Sequence, residues 1–316
     1  MNKRICMCCG KPIINDNSSN WHTSCIEKMF GTKELPVIDI DEVTEQKYID
    51  LNITSGNALT GVQKKFSFDF SSSTSSKRKT VHYETFQHII KTASKDMTLL
   101  PEWEWIGMSL ARICNIKTVD FALYTLKDKS NIFICKRFDR ITSDNQCKKI
   151  PVEDFAQLSN TLTENKYRGS YERCYQSVIS KYSSFKMVDA INFFRIVFFS
   201  YLIGNTDMHL KNFSLYSTDS KHYTLSPAYD LLPVLMVFNQ QDMALTINGK
   251  QRNITKNDFK KFAAKLDINE IIANKIMDEI LNKKSEIVDF IQNTEVISLE
   301  DKKRFISLVQ NRISSL

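Results

Sequence analysis

The distribution of apolar and polar residues along the chain changes in kind near residue 150. Before this point, short alternating segments such as Phe66, Phe68 and Phe70 predict half-buried strands. Strands are predicted at 62–70, 87–91, 118–126 and 131–138, with one helix at 101–114. This part of the chain is therefore predicted to form a β-rich lobe.

After residue 150 the apolar residues recur at helical spacing. Helices are predicted at 153–162, 170–182, 186–203 and from 256 onward, with a hairpin at 212–217 and 222–226. Thr255, and Ser298 with Asp301, give capping signals for the last helices. The pattern predicts a bilobed α+β chain in three parts, a Cys/His segment at 1–35, a β-rich lobe at 36–150 and a helical lobe at 151–316.

The composition excludes several classes of protein. Apolar residues make up 42% of the 316 residues, enough for a packed core, so the chain is not predicted to be disordered. The most apolar stretch, 191–203, is too short to span a bilayer and contains Arg195, which predicts a buried helix. The start lacks the apolar core of a secretory signal, so we expect a cytoplasmic protein. The net charge of +7 suits an anionic ligand, whether nucleotide or nucleic acid.

Three cysteines and a histidine near the N-terminus have the spacing of zinc ligands. Cys6-x-x-Cys9 is followed, after twelve residues, by His22-x-x-Cys25. Two such short motifs can supply the sulfur and nitrogen ligands of a tetrahedral Zn²⁺ site. A cysteine-rich plug without metal in a reducing cytosol explains the same residues, and the sequence leaves both interpretations open.

Two short motifs in the first lobe have the chemistry to contact phosphate groups. The segment 60–65 (TGVQKK) precedes a predicted strand, and its glycine lets backbone N–H groups approach phosphate oxygens. Lys91 ends an apolar strand and Glu104 lies on the next helix, the pairing with which kinases hold nucleotide phosphates. Each motif alone also fits a simpler structure, an ordinary turn or a solvated lysine at a strand end.

The segment after the most apolar helix is more specific. Asp207 and Asn212 are five residues apart, the spacing of aspartate and asparagine in a kinase catalytic loop, and Asp230 follows eighteen residues later. Phosphoryl transfer needs one carboxylate to accept a hydroxyl proton, and an amide oxygen and a second carboxylate to hold Mg²⁺. An Asx-rich turn is the alternative, but the apolar helix before the loop and the second aspartate favour catalysis.

These motifs, in this order, resemble the HipA-like serine/threonine kinases of bacterial toxin–antitoxin systems, most closely the short HipT-type toxins. The similarity runs over about residues 57–232, and its most specific part is 207–213 (DMHLKNF). The other matching segments are 60–65, 89–91, the helix with Glu104, 136–140, 153–155, 202–206 and 225–230. The Cys/His spacing at the start is also similar to that of some short members. The resemblance implies a bilobed protein-kinase-like fold that uses ATP and Mg²⁺ to phosphorylate a protein serine or threonine.

Carried onto the matching positions, the resemblance implies roles for individual residues. Asp207 is then the catalytic aspartate, Asn212 and Asp230 are the Mg²⁺ ligands, and Lys91 contacts the α- and β-phosphates. The segment 135–138 resembles the hinge that binds adenine through its backbone. The full set of implied ATP-binding residues is Thr60, Gly61, Val62, Gln63, Lys91, Glu104, Lys136, Arg137, Phe138, His209 and Asn212.

The resemblance also implies partners. Known members phosphorylate aminoacyl-tRNA synthetases, which stalls translation, and the implied partners are a small HipS-like protein and a DNA-binding HipB-like antitoxin. DNA would be reached only through the antitoxin, and no membrane is expected. A second class of function stays open, a zinc-knuckle regulator that binds nucleic acid and carries an inert kinase-like fold. Intact Asp207, Asn212 and Asp230 favour the enzyme.

One position departs from the family pattern. The glycine loop of the family usually carries a serine that can be autophosphorylated, and this chain has Ala58 there. Alanine has no hydroxyl to accept phosphate. Either the loop is modified at Thr60 or Ser55 instead, or position 58 has been substituted.

Overall fold

The computed structural model describes residues 4–13, 20–54, 63–68, 86–94, 96–143, 146–238, 240 and 242–316. The chain divides into two compact units. The first unit contains Met1–Trp105, Val119–Lys148 and Asn293–Val296, and the second contains Ile106–Thr118, Lys149–Gln292 and Ile297–Leu316. Strands dominate the first unit and helices the second, as the hydrophobic pattern predicts.

The first unit is built on a four-stranded antiparallel sheet with the order β1-β2-β4-β3. Its strands are β1 (Lys65–Phe68), β2 (His88–Lys91), β3 (Phe121–Thr125) and β4 (Asn131–Lys136), followed by a ribbon of β5 (Arg140–Ser143) and β6 (Gln146–Lys149). Its helices are α1 (Thr23–Phe30) and α2 (Glu42–Thr54), while α3 (Leu100–Ile113) contributes residues to both units. Strands β1 and β2 pair antiparallel, with Phe66 opposite Ile90.

The core of the first unit joins the sheet to the N-terminal segment. Buried residues from the strands pack with buried residues of α1 and of the segment before it. They include Cys6, Cys8, Trp21, Met29, Phe30, Phe66, Ile90, Ala122 and Ile134. Helix α2 contacts β1 through Tyr48, whose ring stacks on Phe66 at 5.4 Å between centroids. The Asn52 side chain adds polar contacts, since it accepts the N–H of Ser67 at 2.9 Å and donates to its carbonyl at 3.3 Å.

The second unit is mainly helical. Its helices are α4 (Phe155–Leu158), α5 (Tyr171–Cys174), α6 (Ser180–Tyr182), α7 (Lys186–Ile203), α8 (Val234–Val237), α9 (Lys256–Lys265), α10 (Glu270–Leu281), α11 (Lys284–Asn293) and α12 (Leu299–Ser314). A three-stranded sheet contains β7 (Val152–Asp154), β8 (Ser214–Tyr216) and β9 (Thr224–Leu225) in that order. Helix α7 is buried along most of its length, as its apolar sequence predicts.

An aromatic cluster fixes α7 to the small sheet. The ring of Phe193 lies 5.9 Å from Phe155 and 4.8 Å from Phe213, measured between centroids. Phe155 begins α4 directly after β7, and Phe213 precedes β8. The cluster therefore holds the segment after α7 against the helix that leads into it.

The helix predicted at 153–162 is present but shorter, at Phe155–Leu158. Residues 152–154 form strand β7, which pairs with β8, and helix α4 ends at Leu158. The boundary is a capping box, in which the Asp154 carboxylate accepts the N–H of Gln157 at 2.8 Å.

Two further boundaries differ from the predictions. The helix predicted at 170–182 is interrupted by a π turn at Tyr175–Ile179, which separates α5 from α6. The strand predicted from 118 begins at Phe121, while Thr118 forms a parallel bridge with Ala228. In the part of the chain that the structure describes, no helix has the length and apolar character needed to cross a membrane.

Candidate active site

The loop that carries Asp207 begins where α7 ends. Gly204 has a φ of 72°, a left-handed conformation that glycine adopts without a Cβ clash, and its N–H reaches back to the last turn of the helix. The N–H of Asn205 also donates to the Ser200 carbonyl at 2.8 Å. The chain therefore turns sharply out of a buried helix and enters the loop in a fixed direction.

Hydrogen bonds within the loop bring Asp207 and Asn212 together. The Asn212 side-chain nitrogen donates to the Asp207 carbonyl at 2.9 Å. Residues Leu210–Asn212 form a turn of 3₁₀ helix, capped by the His209 ring, whose Nδ1 accepts the Lys211 N–H at 3.3 Å. Because the amide nitrogen of Asn212 makes this bond, its carbonyl oxygen is the atom suited to a cation.

Asn205 connects this loop to Asp230. Its side-chain oxygen accepts the Asp207 N–H at 3.3 Å, and its side-chain nitrogen donates to the Asp230 carbonyl at 3.4 Å. Asp230 has a φ of 57°, a left-handed backbone conformation that aspartate and asparagine tolerate better than most residues. The three side chains predicted for catalysis and Mg²⁺ binding thus lie on two segments that one buried asparagine joins.

Tyr167 and His209 border the Asp207 carboxylate. The Tyr167 hydroxyl donates to Asp207 Oδ1 at 2.8 Å, and its ring meets the His209 ring edge-on at 5.0 Å. Burial and this hydrogen bond to a carboxylate raise the pKa of Tyr167, so the phenol stays protonated and remains a donor. Burial lowers the pKa of His209, which favours a neutral ring whose Nδ1 can accept the Lys211 N–H.

Lys211 and Tyr229 add further polar contacts around the loop. Lys211 forms an ion pair with Asp154 at 2.7 Å, which ties the 3₁₀ turn to the end of β7. The Tyr229 hydroxyl donates to the Lys211 carbonyl at 3.1 Å and shares a 2.7 Å hydrogen bond with Ser214. Asp230 therefore follows a residue that is itself bonded to the loop.

In the first unit, Lys91 and Glu104 form the predicted pair. Lys91 Nζ lies 2.6 Å from Glu104 Oε1, with side chains 7% and 4% exposed. The Lys91 ammonium also lies 5.6 Å from the centroid of the Phe133 ring. A buried ion pair of this kind is not the solvated strand-end lysine that was the simpler alternative.

Of the other residues predicted to bind ATP, some have contacts within the protein and some lie outside the described residues. Gln63 Nε2 donates to the Thr92 carbonyl at 3.3 Å, beside the end of β2. In the predicted hinge, the Lys136 side chain donates to the Lys28 carbonyl at 2.8 Å, and Arg137 binds Asp139 and Ser67. The backbone N–H groups of Lys136 and Arg137 donate to carbonyls of the same unit at 2.7 Å, while Phe138 lies half-buried after them. Thr60, Gly61, Val62, Ser55 and Ala58 lie outside the described residues.

The N-terminal motif converges on one point. Ligand atoms of Cys6, Cys9, His22 and Cys25 all lie within 4.8 Å of one another. His22 Nδ1 is 3.3 Å from Cys9 Sγ and 4.0 Å from Cys25 Sγ, while its Nε2 lies 3.2 Å from the Pro12 carbonyl. Hydrogen bonds from the Cys25 and Cys9 thiols hold the pKa of Cys6 below its usual range.

Sequence reasoning missed two residues of the site. Asn205 lies within the recognised loop, and its position directly after a helix-ending glycine was the available signal. Tyr167 is 40 residues from Asp207 along the chain, and no local pattern connects the two. Only the tertiary structure brings its hydroxyl to the carboxylate.

Comparison with known proteins gives a match to a domain family and similarity to proteins named as kinases. Residues 57–287 match the HipA-like C-terminal domain. The chain is 32% identical over 197 residues to Y4dM of Sinorhizobium fredii, a protein provisionally named a kinase, covering 58% of this chain and 46% of Y4dM. A Haemophilus influenzae protein with the same provisional name is 24% identical over 229 residues, covering 63% of this chain and 66% of that protein. The chain thus spans about half the length of the first relative and just under two thirds of the second.

Two solved structures share the fold. HipA of Shewanella oneidensis MR-1, solved with HipB and operator DNA, gives a TM-score of 0.66 at 17% identity, covering 88% of this chain and 73% of HipA. The Helicobacter pylori proinflammatory kinase CtkA gives 0.56 at 18% identity, covering 82% of this chain and 90% of CtkA. The fold is therefore the α+β, HipA-like kinase fold that the sequence predicts. With a domain match over more than half of its length, the chain belongs to the HipA-like C-terminal domain family.

Proposed function

We propose that this chain is an ATP-dependent protein kinase that phosphorylates serine or threonine. The observation that carries the proposal is the loop in which Asn212 binds the Asp207 carbonyl while Asn205 joins Asp207 to Asp230. It supports Asp207 as the base that accepts the proton of the acceptor hydroxyl. Asn212 and Asp230 offer the amide and carboxylate oxygens that Mg²⁺ prefers, and Lys91, held by Glu104, supplies the charge for the α- and β-phosphates. When bound, Mg²⁺ would neutralise charge on the phosphates of ATP.

The biological setting follows from the family. We propose a toxin of a toxin–antitoxin system, of the HipT type, that inhibits translation by phosphorylating an aminoacyl-tRNA synthetase. The Shewanella oneidensis HipA structure contains HipB and operator DNA, which supports a HipB-like antitoxin as a partner. A small HipS-like protein is the second proposed partner. Contact with DNA would pass through the antitoxin.

The test of catalysis is the Asp207→Asn variant. We expect this variant to lose phosphoryl transfer while binding Mg-ATP as the wild type does, because the carboxylate orients the hydroxyl and does not grip the nucleotide. Phosphoproteomics of cells that express either form would identify the substrate. Equal phosphorylation by both forms would remove Asp207 from this role.

Residues 55–62 of the glycine loop lie outside the described residues, and the regulation of this loop is a proposal from sequence alone. With Ala58 at the usual position, any loop phosphate would lie on Thr60 or Ser55. A phosphate there would add about two negative charges beside the triphosphate and repel it. Mass spectrometry of the chain after incubation with Mg-ATP, compared with Ala58→Ser, tests this site.

We further propose that Cys6, Cys9, His22 and Cys25 bind a structural Zn²⁺. Ligand separations up to 4.8 Å suit a tetrahedral site, in which sulfur atoms lie about 3.8 Å apart. The Pro12 carbonyl near His22 Nε2 supports the proposal, because metal-binding histidines usually donate their other N–H to such a group. Four protein ligands leave no open position, which favours a structural over a catalytic metal.

A further inference from the structure

Two tyrosines four residues apart both donate to the catalytic loop. The Tyr171 hydroxyl donates to the Met208 carbonyl at 2.9 Å, and its ring is fully buried among Phe193, Phe213 and Phe262. Core packing accounts for Tyr171. Tyr167 is 44% exposed, so burial of its ring does not account for its position.

The Tyr167 ring is nevertheless held in place. Its edge contact with His209 lies on one side, and the Lys166 ammonium lies 4.9 Å from its centroid. The Lys166 carbonyl accepts the Leu210 N–H at 3.2 Å, which attaches the backbone beside Tyr167 to the loop. These contacts direct the phenol at Asp207, where its oxygen lies 2.8 Å from Oδ1.

A carboxylate that acts as a base must present one oxygen in a defined direction. The terminal torsion of an aspartate is broad, so the backbone alone does not fix the orientation of its two oxygens. Among the described residues, the Tyr167 hydroxyl is the side-chain donor that bonds this carboxylate. A donor on Oδ1 leaves Oδ2 to accept the hydroxyl proton of a substrate.

We propose that Tyr167 is a positioning residue that fixes the Asp207 carboxylate for phosphoryl transfer. The proposal rests on the proposed kinase function, in which Asp207 is the base. In this role Tyr167 acts through its hydrogen bond to Asp207 and not on the nucleotide. Removal of its hydroxyl should therefore slow the transfer step and leave ATP binding unchanged.

The test compares Tyr167→Phe with Tyr175→Phe. Tyr175 makes the same kind of bond, from its hydroxyl to Asp267 Oδ2 at 2.7 Å, in the same unit and on a different carboxylate. Turnover is measured as the Mg²⁺-dependent transfer of phosphate from γ-labelled ATP to the chain, to water and to myelin basic protein. We expect kcat of Tyr167→Phe to fall about tenfold, with KM for ATP and the melting temperature unchanged. Tyr175→Phe should keep the wild-type kcat.

The opposite results are also informative. An unchanged kcat for Tyr167→Phe overturns the positioning role, and so does a raised kcat, since the phenol would then compete with the acceptor for Asp207. If Asp207→Asn is inactive in the same assay, an unchanged or raised kcat of Tyr167→Phe leaves the proposed function intact. If Asp207→Asn turns over like the wild type, or the wild type gives no turnover, the proposed function and the positioning role both fail.

Discussion

Among single residues, His88 shows how burial changes a titratable group. Its side chain is 3% exposed, its Nε2 lies 2.8 Å from the Met29 carbonyl, and Phe30 stacks on its ring. Burial lowers the pKa of His88 from 6.5 to about 4, because a charged imidazolium would lose its hydration there. His88 therefore joins β2 to the end of α1 only as a neutral ring.

This shift predicts a pH dependence of stability. The folded pKa lies below the unfolded one, so the stabilisation is complete above pH 6.5 and is lost as pH falls toward about 4. Over that window the wild type should lose about 3 kcal/mol more of its unfolding free energy than His88→Gln, which keeps a donor but cannot titrate. Urea denaturation at several pH values measures the difference. An equal loss in wild type and His88→Gln would contradict the assignment.

At the scale of elements, helix α3 contains a glycine because of a close approach. A Cβ at Gly107 would overlap the Leu231 carbonyl oxygen and lie 3.0 Å from Pro233 Cδ. Leu231 directly follows Asp230, so the helix supports the segment that carries a predicted Mg²⁺ ligand. Glycine here costs helix propensity, but a larger residue would displace that segment.

The Gly107→Ala variant separates these two effects. Helix propensity alone predicts that the free energy of unfolding rises by about 1 kcal/mol. Overpacking predicts that it falls by about 1–3 kcal/mol. We expect the loss, together with weaker Mg-ATP binding, measured by denaturation and by nucleotide titration. Ser109→Ala in the same helix is the matched control, since it removes a buried hydroxyl that has no hydrogen-bond partner among the described residues. A stabilised Gly107→Ala that binds Mg-ATP normally would rule out this role.

The N-terminal hairpin, residues 5–12, in which Ile5 pairs with Pro12, is a second element that supports its neighbours. The N–H of Cys6 donates to the Lys11 carbonyl and the N–H of Gly10 to the Cys6 carbonyl, both at 2.8 Å. The Met7 carbonyl accepts the Leu123 N–H at 2.9 Å and the Trp105 indole N–H at 2.7 Å. The hairpin thus contacts both β3 and the residue beside Glu104.

Metal removal should therefore loosen the first unit. Purified protein should contain one equivalent of zinc, and a strong chelator should lower its melting temperature and release the metal. Cys25→Ser should bind no zinc, whereas Cys147→Ser, outside the cluster, should bind a full equivalent. Elemental analysis with thermal melting gives both readouts. Metal-free protein with unaltered melting would leave the cysteine-rich plug as the better interpretation.

An element can be predicted from the sequence when a local pattern of residues encodes it, and not when it depends on contacts with distant residues. Helix α7 and β1 follow from apolar periodicity, and the loop with Asp207 and Asn212 follows from spacing. Helix α2 gives no such signal, because its buried residues are Glu45 and Asn52, and Asn52 acts through hydrogen bonds to β1. Strand β7 depends on pairing with β8, some 60 residues away, and local propensity cannot encode that contact.

At the scale of the whole molecule, the family match and the folded units have different limits. The match covers 57–287, so the Cys/His cluster, α1 and α2 all lie outside it. Yet the N-terminal hairpin contributes Cys6, α1 contributes Met29, and the segment just before α1 contributes Trp21 to the core of the first unit. The segment before residue 57 is therefore an integral part of that unit.

Nucleotide binding gives a prediction for the complete chain. Mg-ATP at about a hundred times its Kd should stabilise the protein by roughly 2.7 kcal/mol. ATP without added Mg²⁺ should give a smaller rise in melting temperature than ATP with Mg²⁺, because Asn212 and Asp230 would act through the cation. Mg²⁺ alone is the control. Identical shifts with and without Mg²⁺ would remove both residues from metal binding.

The left-handed backbone at Asp230 restricts which amino acids this position can accept. Glycine, asparagine and aspartate fit the conformation, while a β-branched residue would strain it whatever its chemistry. The proposed metal-binding role then requires a carboxylate, which only aspartate supplies among these three. A library of variants sorted for folding should therefore be enriched in glycine, asparagine and aspartate at this position, and one sorted for turnover should retain aspartate. Two requirements therefore restrict substitutions at residue 230. The backbone conformation restricts them during folding, before any nucleotide is bound, and the proposed metal binding restricts them further.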